Sequence, residues 1–148
     1  MQKFTFRLEN VRNIKIAMEN RAKNEFGLAS AALFKEMEKL DGLNNRKSYY
    51  QGRLQKLCED RLDMLKIREC REAVTVLDEK ITEQKRVVRR AERVVEEARL
   101  KLNEAMRERK TLDRLRENAF EEYESDLRRS EQKEIDEFVS YRGSGSRR

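Results

Sequence analysis

Proline, tryptophan and histidine are absent from this chain, and it carries only five glycines and two cysteines. Each absence closes off something. Without proline, no position is barred from a helix interior by a missing amide proton or a ring clash. Without histidine, the commonest general base is missing, and with no Cys-x-x-Cys pair a zinc site is not expected. The glycines at 27, 42, 52, 143 and 145 fit neither a P-loop nor a dinucleotide fingerprint. Carboxylates abound, but on helices facing water they have no pocket and no raised pKa. The expectation is therefore a chain that is not an enzyme and that needs no cofactor or metal. No run of 18 apolar residues occurs, and Met1-Gln2-Lys3-Phe4-Thr5-Phe6-Arg7 lacks the apolar core of a signal peptide. This predicts a cytoplasmic location, where Cys58 and Cys70 stay reduced and serve as small packing or surface residues.

What is present is charge and helix formers. Charged residues make up 43% and apolar residues 37% of the 148 positions, which is too little to fill a globular core but enough for a seam between two helices. The net charge of +6 is unevenly spread. Residues 85–116 hold 12 Lys/Arg against 6 Asp/Glu, whereas residues 117–138 hold 3 against 9. The basic segment is interleaved with acids, as on a solvated face with i,i+4 pairs, so nucleic acid is not expected as a partner.

The second half has the clearer period. With Val74, Ile81, Val88, Val95 and Leu102 at position a, position d holds Leu77, Gln84, Ala91, Ala98, Ala105 and Leu112. This is a heptad seam with one polar intrusion, followed by a drift to Leu115, Ala119, Tyr123 and Leu127. In the first half Leu8, Val11, Ala22, Phe26, Ala29, Leu33, Met37 and Leu40 form a stripe with one long step, continued by Tyr50, Leu54 and Leu57. Two such helices joined by a short loop pack antiparallel, giving an all-α, long two-helix coiled-coil hairpin. Two turns compete. Asp41-Gly42-Leu43-Asn44-Asn45 has the better turn chemistry, while the segment from Cys58 to Met64 gives better-matched helices, with Asp60 or Asp63 as a helix cap.

At the chain ends, Phe4 and Phe6 precede helix one, and Phe120, Tyr123, Phe138 and Tyr141 lie late in helix two. Ile135, Phe138 and Val139 share one face of a segment that extends past helix one, and an apolar helix face without a partner marks a docking surface.

Several segments resemble the FliJ family, the small stalk proteins of the bacterial flagellar type III export apparatus. The opening Lys3-Phe4-Thr5-Phe6-Arg7-Leu8-Glu9-Asn10-Val11 is similar to the family's Phe-x-Phe-Arg-Leu entry into helix one. The run Arg107-Glu108-Arg109-Lys110-Thr111-Leu112-Asp113-Arg114-Leu115-Arg116 resembles its basic late-helix motif. Glu131-Gln132-Lys133-Glu134-Ile135-Asp136-Glu137-Phe138 resembles its closing signature, and Leu77-Asp78-Glu79-Lys80-Ile81 the start of its second helix. The chain departs from the pattern in having no glycine from 53 to 142 and Ala73 where an aromatic often stands.

The resemblance favours the later turn. The expected hairpin spans residues 1–142, with helix one over about 5–57, the turn over about 58–65 and helix two over about 66–140, a rod of roughly 110 Å at 1.5 Å per residue. Residues 143–148 are expected as a flexible tail. The resemblance implies a stalk that inserts into a hexameric flagellar export ATPase through Phe4, Phe6, Lys133, Ile135, Asp136 and Phe138. At the hairpin tip it implies contact with a membrane export gate protein through Ala73, Leu77 and Ile81. It further implies roles in flagellum biogenesis, motility and chemotaxis, links to export chaperones, and a place at the inner face of the cell membrane. Alone, the chain is expected to be monomeric. The alternatives are the equivalent stalk of a virulence-type secretion system, or a generic coiled-coil scaffold or chaperone.

Overall fold

The computed structural model describes residues 3–146. Arg147 and Arg148, at the end of the expected tail, lie outside the described residues, as do Met1 and Gln2. The fold is all-α. Helix α1 spans Glu9–Glu59, 51 residues, and helix α2 spans Met64–Gly145, 82 residues. The two pack antiparallel. Arg12 meets Asp113, and far along α1 Lys47 meets Asp78.

α1 runs without a break through Asp41–Asn45. A β-carbon at Gly42 would touch nothing within 4 Å, so this glycine answers no steric demand. Its interior position costs about 1 kcal/mol, which the half-buried Leu40 and Leu43 on either side offset through packing. The chain reverses instead over residues 60–63. The Asp63 carboxylate accepts the Lys66 backbone N–H at 3.4 Å, and the Asp63 carbonyl accepts the Ile67 N–H at 3.0 Å, the pattern of a helix N-cap. At its other end α2 continues through Gly143, Ser144 and Gly145, which the sequence assigns to a tail.

The described chain falls into two compact units. One joins the residues up to Asn20 with those from Glu104 onward, and the other is Arg21–Asn103. In the central unit, Arg21–Asn103, the seam is mainly apolar. Ala22, Ala29, Ile67, Cys70, Leu77, Ile81, Val88 and Ala98 are all buried. Small residues recur here because antiparallel helices approach closely only where side chains are short. Gln84, the polar intrusion, is satisfied. Its amide Nε2 donates to the Glu36 carbonyl at 2.9 Å and to Glu36 Oε2 at 2.6 Å. That bond holds the Glu36 carboxyl below its ordinary value. It also decides the register of α1: Glu36 takes the inward place, and Met37, expected in the stripe, is left 46% exposed.

The terminal unit departs further from an apolar seam. Leu8 and Val11 are exposed, and the inward positions go to charged residues. Glu19 is buried, only 4% exposed, and accepts two hydrogen bonds from the Arg109 guanidinium. Arg109 Nη1 also donates to Asp113 at 2.8 Å, and Arg12 Nε donates to the other Asp113 oxygen at 2.8 Å. Lys15 pairs with Glu108 at 2.9 Å, and Arg116 with Glu9 at 3.5 Å. Arg109, and Arg12 after it, hold the Asp113 carboxyl below the usual carboxylate range; the Arg109 guanidinium is raised by Glu19 first and Asp113 next, and that of Arg12 by Asp113. Of the expected drift, Leu115 is exposed, whereas Ala119, Tyr123 and Leu127 are half-buried. The seven-residue step from Leu102 leads to the half-buried Arg109, and the next step to Arg116, which is exposed and pairs with Glu9. Buried Ala105 and Leu112 supply the apolar part between them.

Candidate partner-binding surfaces

In the terminal unit, the residues before α1 form a strap across α2. Glu9 N–H bonds to the Phe6 carbonyl at 3.1 Å, closing a turn that leads the chain into the helix. Phe4 then lies edge-on to Phe120, with ring centroids 5.1 Å apart, and tilted against Tyr123 at 5.5 Å. The Arg116 guanidinium sits over the Phe4 ring at 5.7 Å, so one arginine joins the aromatic cluster to Glu9. A groove of about 460 Å³ runs beside the strap, lined by Phe4, Phe6, Leu115, Ala119 and Tyr123 among others. Phe4 and Phe6 are thus half-buried fixtures of this end, not free side chains.

Because each aromatic pair contributes about 0.5–1.5 kcal/mol beyond burial, Phe4→Ala should free the strap while sparing the rest of the chain. Amide hydrogen exchange should rise for residues 3–12 and stay unchanged over the central unit. Unchanged exchange at the strap would show that the ring cluster does not hold it.

Beyond the strap the helix surface is open. Every described residue from 128 to 146 is exposed. Ile135, Phe138, Val139 and Tyr141 are 55–79% exposed, although three of them are among the most apolar side chains in the chain. The acidic composition here opposes the helix dipole, yet α2 holds. Gln132 Nε2 donates to Asp136 at 3.0 Å, one turn on, and Arg142 covers the Phe138 ring at 5.2 Å. Lys133 and Asp136 flank this face on exposed helix.

At the tip of the central unit the structure sorts the three expected residues. Leu77 and Ile81 are each 6% exposed at heptad positions in the seam between the helices, and Leu77 also lines the groove that Ala73 borders. Ala73 is half-buried and lies on a groove of about 740 Å³ with Tyr49, Tyr50 and Val76. Tyr49 is 62% and Val76 49% exposed, and Tyr49 stands edge-on to Tyr50 at 5.4 Å. A second groove, of about 960 Å³, adjoins it and is lined by Met64, Leu65, Arg68 and Val76 among others. Tyr49, Leu65 and Val76 are exposed residues on these grooves that the sequence analysis does not single out. Tyr49 and Val76 lie off the heptad positions, and an off-seam apolar residue in a charge-rich helix was the available signal.

Cys58 is exposed, Cys70 is buried, and both are free thiols. Among the described residues no helix is long and apolar enough to cross a membrane, and no cluster of His, Cys, Asp or Glu fits a metal ion. The arrangement offers contact surfaces at two places, an apolar helix face beside an aromatic strap and an apolar groove near the reversal. No curated protein and no solved structure matches the chain. The family model described as "Flagellar FliJ protein" matches residues 3–148, essentially the whole length, and the chain belongs to the FliJ family, with a role in flagellar protein export.

Proposed function

We propose that the chain is the stalk of the flagellar type III export apparatus, docking by its terminal unit into the export ATPase ring and by its tip against the membrane export gate. The observation that carries this reading is the exposed face of Ile135, Phe138 and Val139, beside a strap already fixed by Phe4. Burial of Ile135 and Phe138 against a partner would contribute roughly 1.5–3 kcal/mol each. At the other site, the groove of Tyr49, Ala73, Val76 and Leu77 takes the gate contact, with Ile81 buried in the adjoining seam. On this reading the chain sits peripherally at the inner face of the membrane, couples the ring to the gate, and promotes assembly of the ATPase.

The family description favours the flagellar stalk over its virulence-type counterpart and over a generic scaffold. Deleting residues 131–148 removes the apolar face and none of the buried seam. The melting temperature should therefore stay nearly unchanged, while pull-down of the export ATPase and stimulation of its turnover should weaken. Full binding and stimulation by the truncated chain would show that this end is not the docking surface.

A further inference from the structure

Between Asp41 and Asn45, α1 carries the sequence of a helix end followed by that of a helix start. Gly42 then Leu43 is the order of a left-handed helix stop, a glycine at positive φ and an apolar residue that folds back. Asn44 and Asn45 are favoured caps for a helix beginning after them. Neither signal is used in the closed hairpin, where the helix is continuous and no described glycine has positive φ. Packing does not call for the glycine either, since a β-carbon at position 42 meets nothing within 4 Å.

The arm beyond this point is held lightly. From Ser30 to Glu59 no residue of α1 is buried. The burial lies on α2, where Ile67, Cys70, Leu77 and Ile81 are 5–9% exposed. Lys47 meets Asp78 at 2.6 Å and Gln84 meets Glu36, so in this antiparallel pair the stretch of α1 after Lys47 covers Leu77, Cys70 and Ile67. Among the described residues, Lys47–Asp78 is the one polar link between residues 46–59 and α2. Half-buried Tyr50, Leu54 and Leu57 supply the rest. A segment with few buried contacts belongs to the part of a fold that opens first.

We infer that α1 breaks at Asp41–Asn45 and that the arm of residues 46–59 lifts off α2, uncovering Leu77 and Cys70. The arm stays tethered at both ends. Extending five residues from about 1.5 to about 3.3 Å each supplies roughly 9 Å of extra chain. That is enough to raise the Lys47 end while the arm pivots at residues 60–63. Ile67, near the pivot, stays covered. The open form uses the stop and start signals that the closed form leaves unused. Leu77 is among the residues that the family resemblance assigns to the gate, and the opening gives a partner access to its whole side chain. That use rests on the function proposed above, whereas the opening itself does not.

Thiol labelling tests the opening with no partner present. In a Cys58→Ser background only Cys70 can react, and it is 5% exposed in the closed hairpin. Iodoacetamide should modify it at a rate set by the opening. Gly42→Ala should slow that rate about fivefold or more, from the helix-propensity difference between glycine and alanine. Gly52→Ala makes the same exchange outside the break, again with open space for the β-carbon, and should leave the rate unchanged. Lys47→Glu should speed labelling, and adding Asp78→Lys should reverse the gain. Amide hydrogen exchange should peak over residues 42–47, faster than over 30–38 and 50–56. Exchange that instead rises steadily toward the turn, or equal slowing by both alanines, would mean that the hairpin frays from its tip and would overturn the proposal. So would a Cys70 rate that ignores Gly42→Ala. None of these outcomes involves the ATPase or the gate, so failure here leaves the docking reading standing.

Discussion

Val88→Asp should collapse the thermal stability of the central unit, while Val94→Asp, six residues on, should leave it almost untouched. Val88 is 8% exposed at a seam position, and Val94 is 54% exposed beside it. A carboxylate at position 88 would be buried in the seam, and an uncompensated buried charge costs about 3–5 kcal/mol. That is a large share of the stability of any small domain. An exposed substitution costs about 0.5 kcal/mol or less. Thermal melts followed by circular dichroism at 222 nm separate the two. Loss of ellipticity at lower temperature in Val88→Asp, with Val94→Asp near the parent, is the expected result. Equal melts would mean that the heptad assignment of α2 is wrong by a turn.

The contrast between these two valines shows what the sequence makes legible. The seven-residue repeat picks out Leu77, Ile81, Val88, Ala98, Ala105 and Leu112, which are buried, and Val74, Gln84, Ala91, Val95 and Leu102, which are half-buried. The reversal near residue 62 was harder. Gly42 with its neighbouring asparagines has the stronger local turn signal, and the packing of Leu40 and Leu43 overrides it. That competition is tertiary, and no local reading resolves it.

The terminal unit is the least legible part of the sequence. The long step in the α1 stripe between Val11 and Ala22 hid Arg12, Lys15 and Glu19, which keep the inward spacing with polar side chains. Apolar residues alone do not mark such a seam, although the seven-residue spacing from Leu102 reaches the half-buried Arg109 on α2. Charged residues read as a solvated face turn out to bridge the helices, because each finds an opposite partner across the seam. For the contact surfaces the lesson runs the other way. Leu77 and Ile81 are assigned to a partner by the family resemblance, and their apolar side chains at heptad positions are buried between the helices.

Arg109 offers the sharpest test of the polar seam. Its guanidinium bonds both Glu19 and Asp113. Arg109→Met strips that cation from a Glu19 side chain that is 5% exposed and should destabilise the terminal unit strongly. Replacing both partners, Glu19→Leu with Arg109→Leu, restores a continuous apolar seam from Ala105 to Leu112, and this double variant should be more stable than either single one. Amide hydrogen exchange over residues 9–20 and 104–116 reads the effect where it arises. Acid provides a second axis. Asp113 is held below its ordinary value of 3.8 in the folded chain, first by Arg109 and then by Arg12. A depressed carboxylate contributes stability that is fully present above its unfolded pKa and is lost as pH falls through the folded one. In the parent chain the terminal unit should therefore keep this contribution at neutral pH and lose it below the usual aspartate range. With Arg109→Met only Arg12 remains beside Asp113, so the acid loss should begin at higher pH, closer to 3.8. Singles whose effects simply add in the double variant, or an acid profile identical in parent and Arg109→Met, would show that these charges lie side by side without depending on one another.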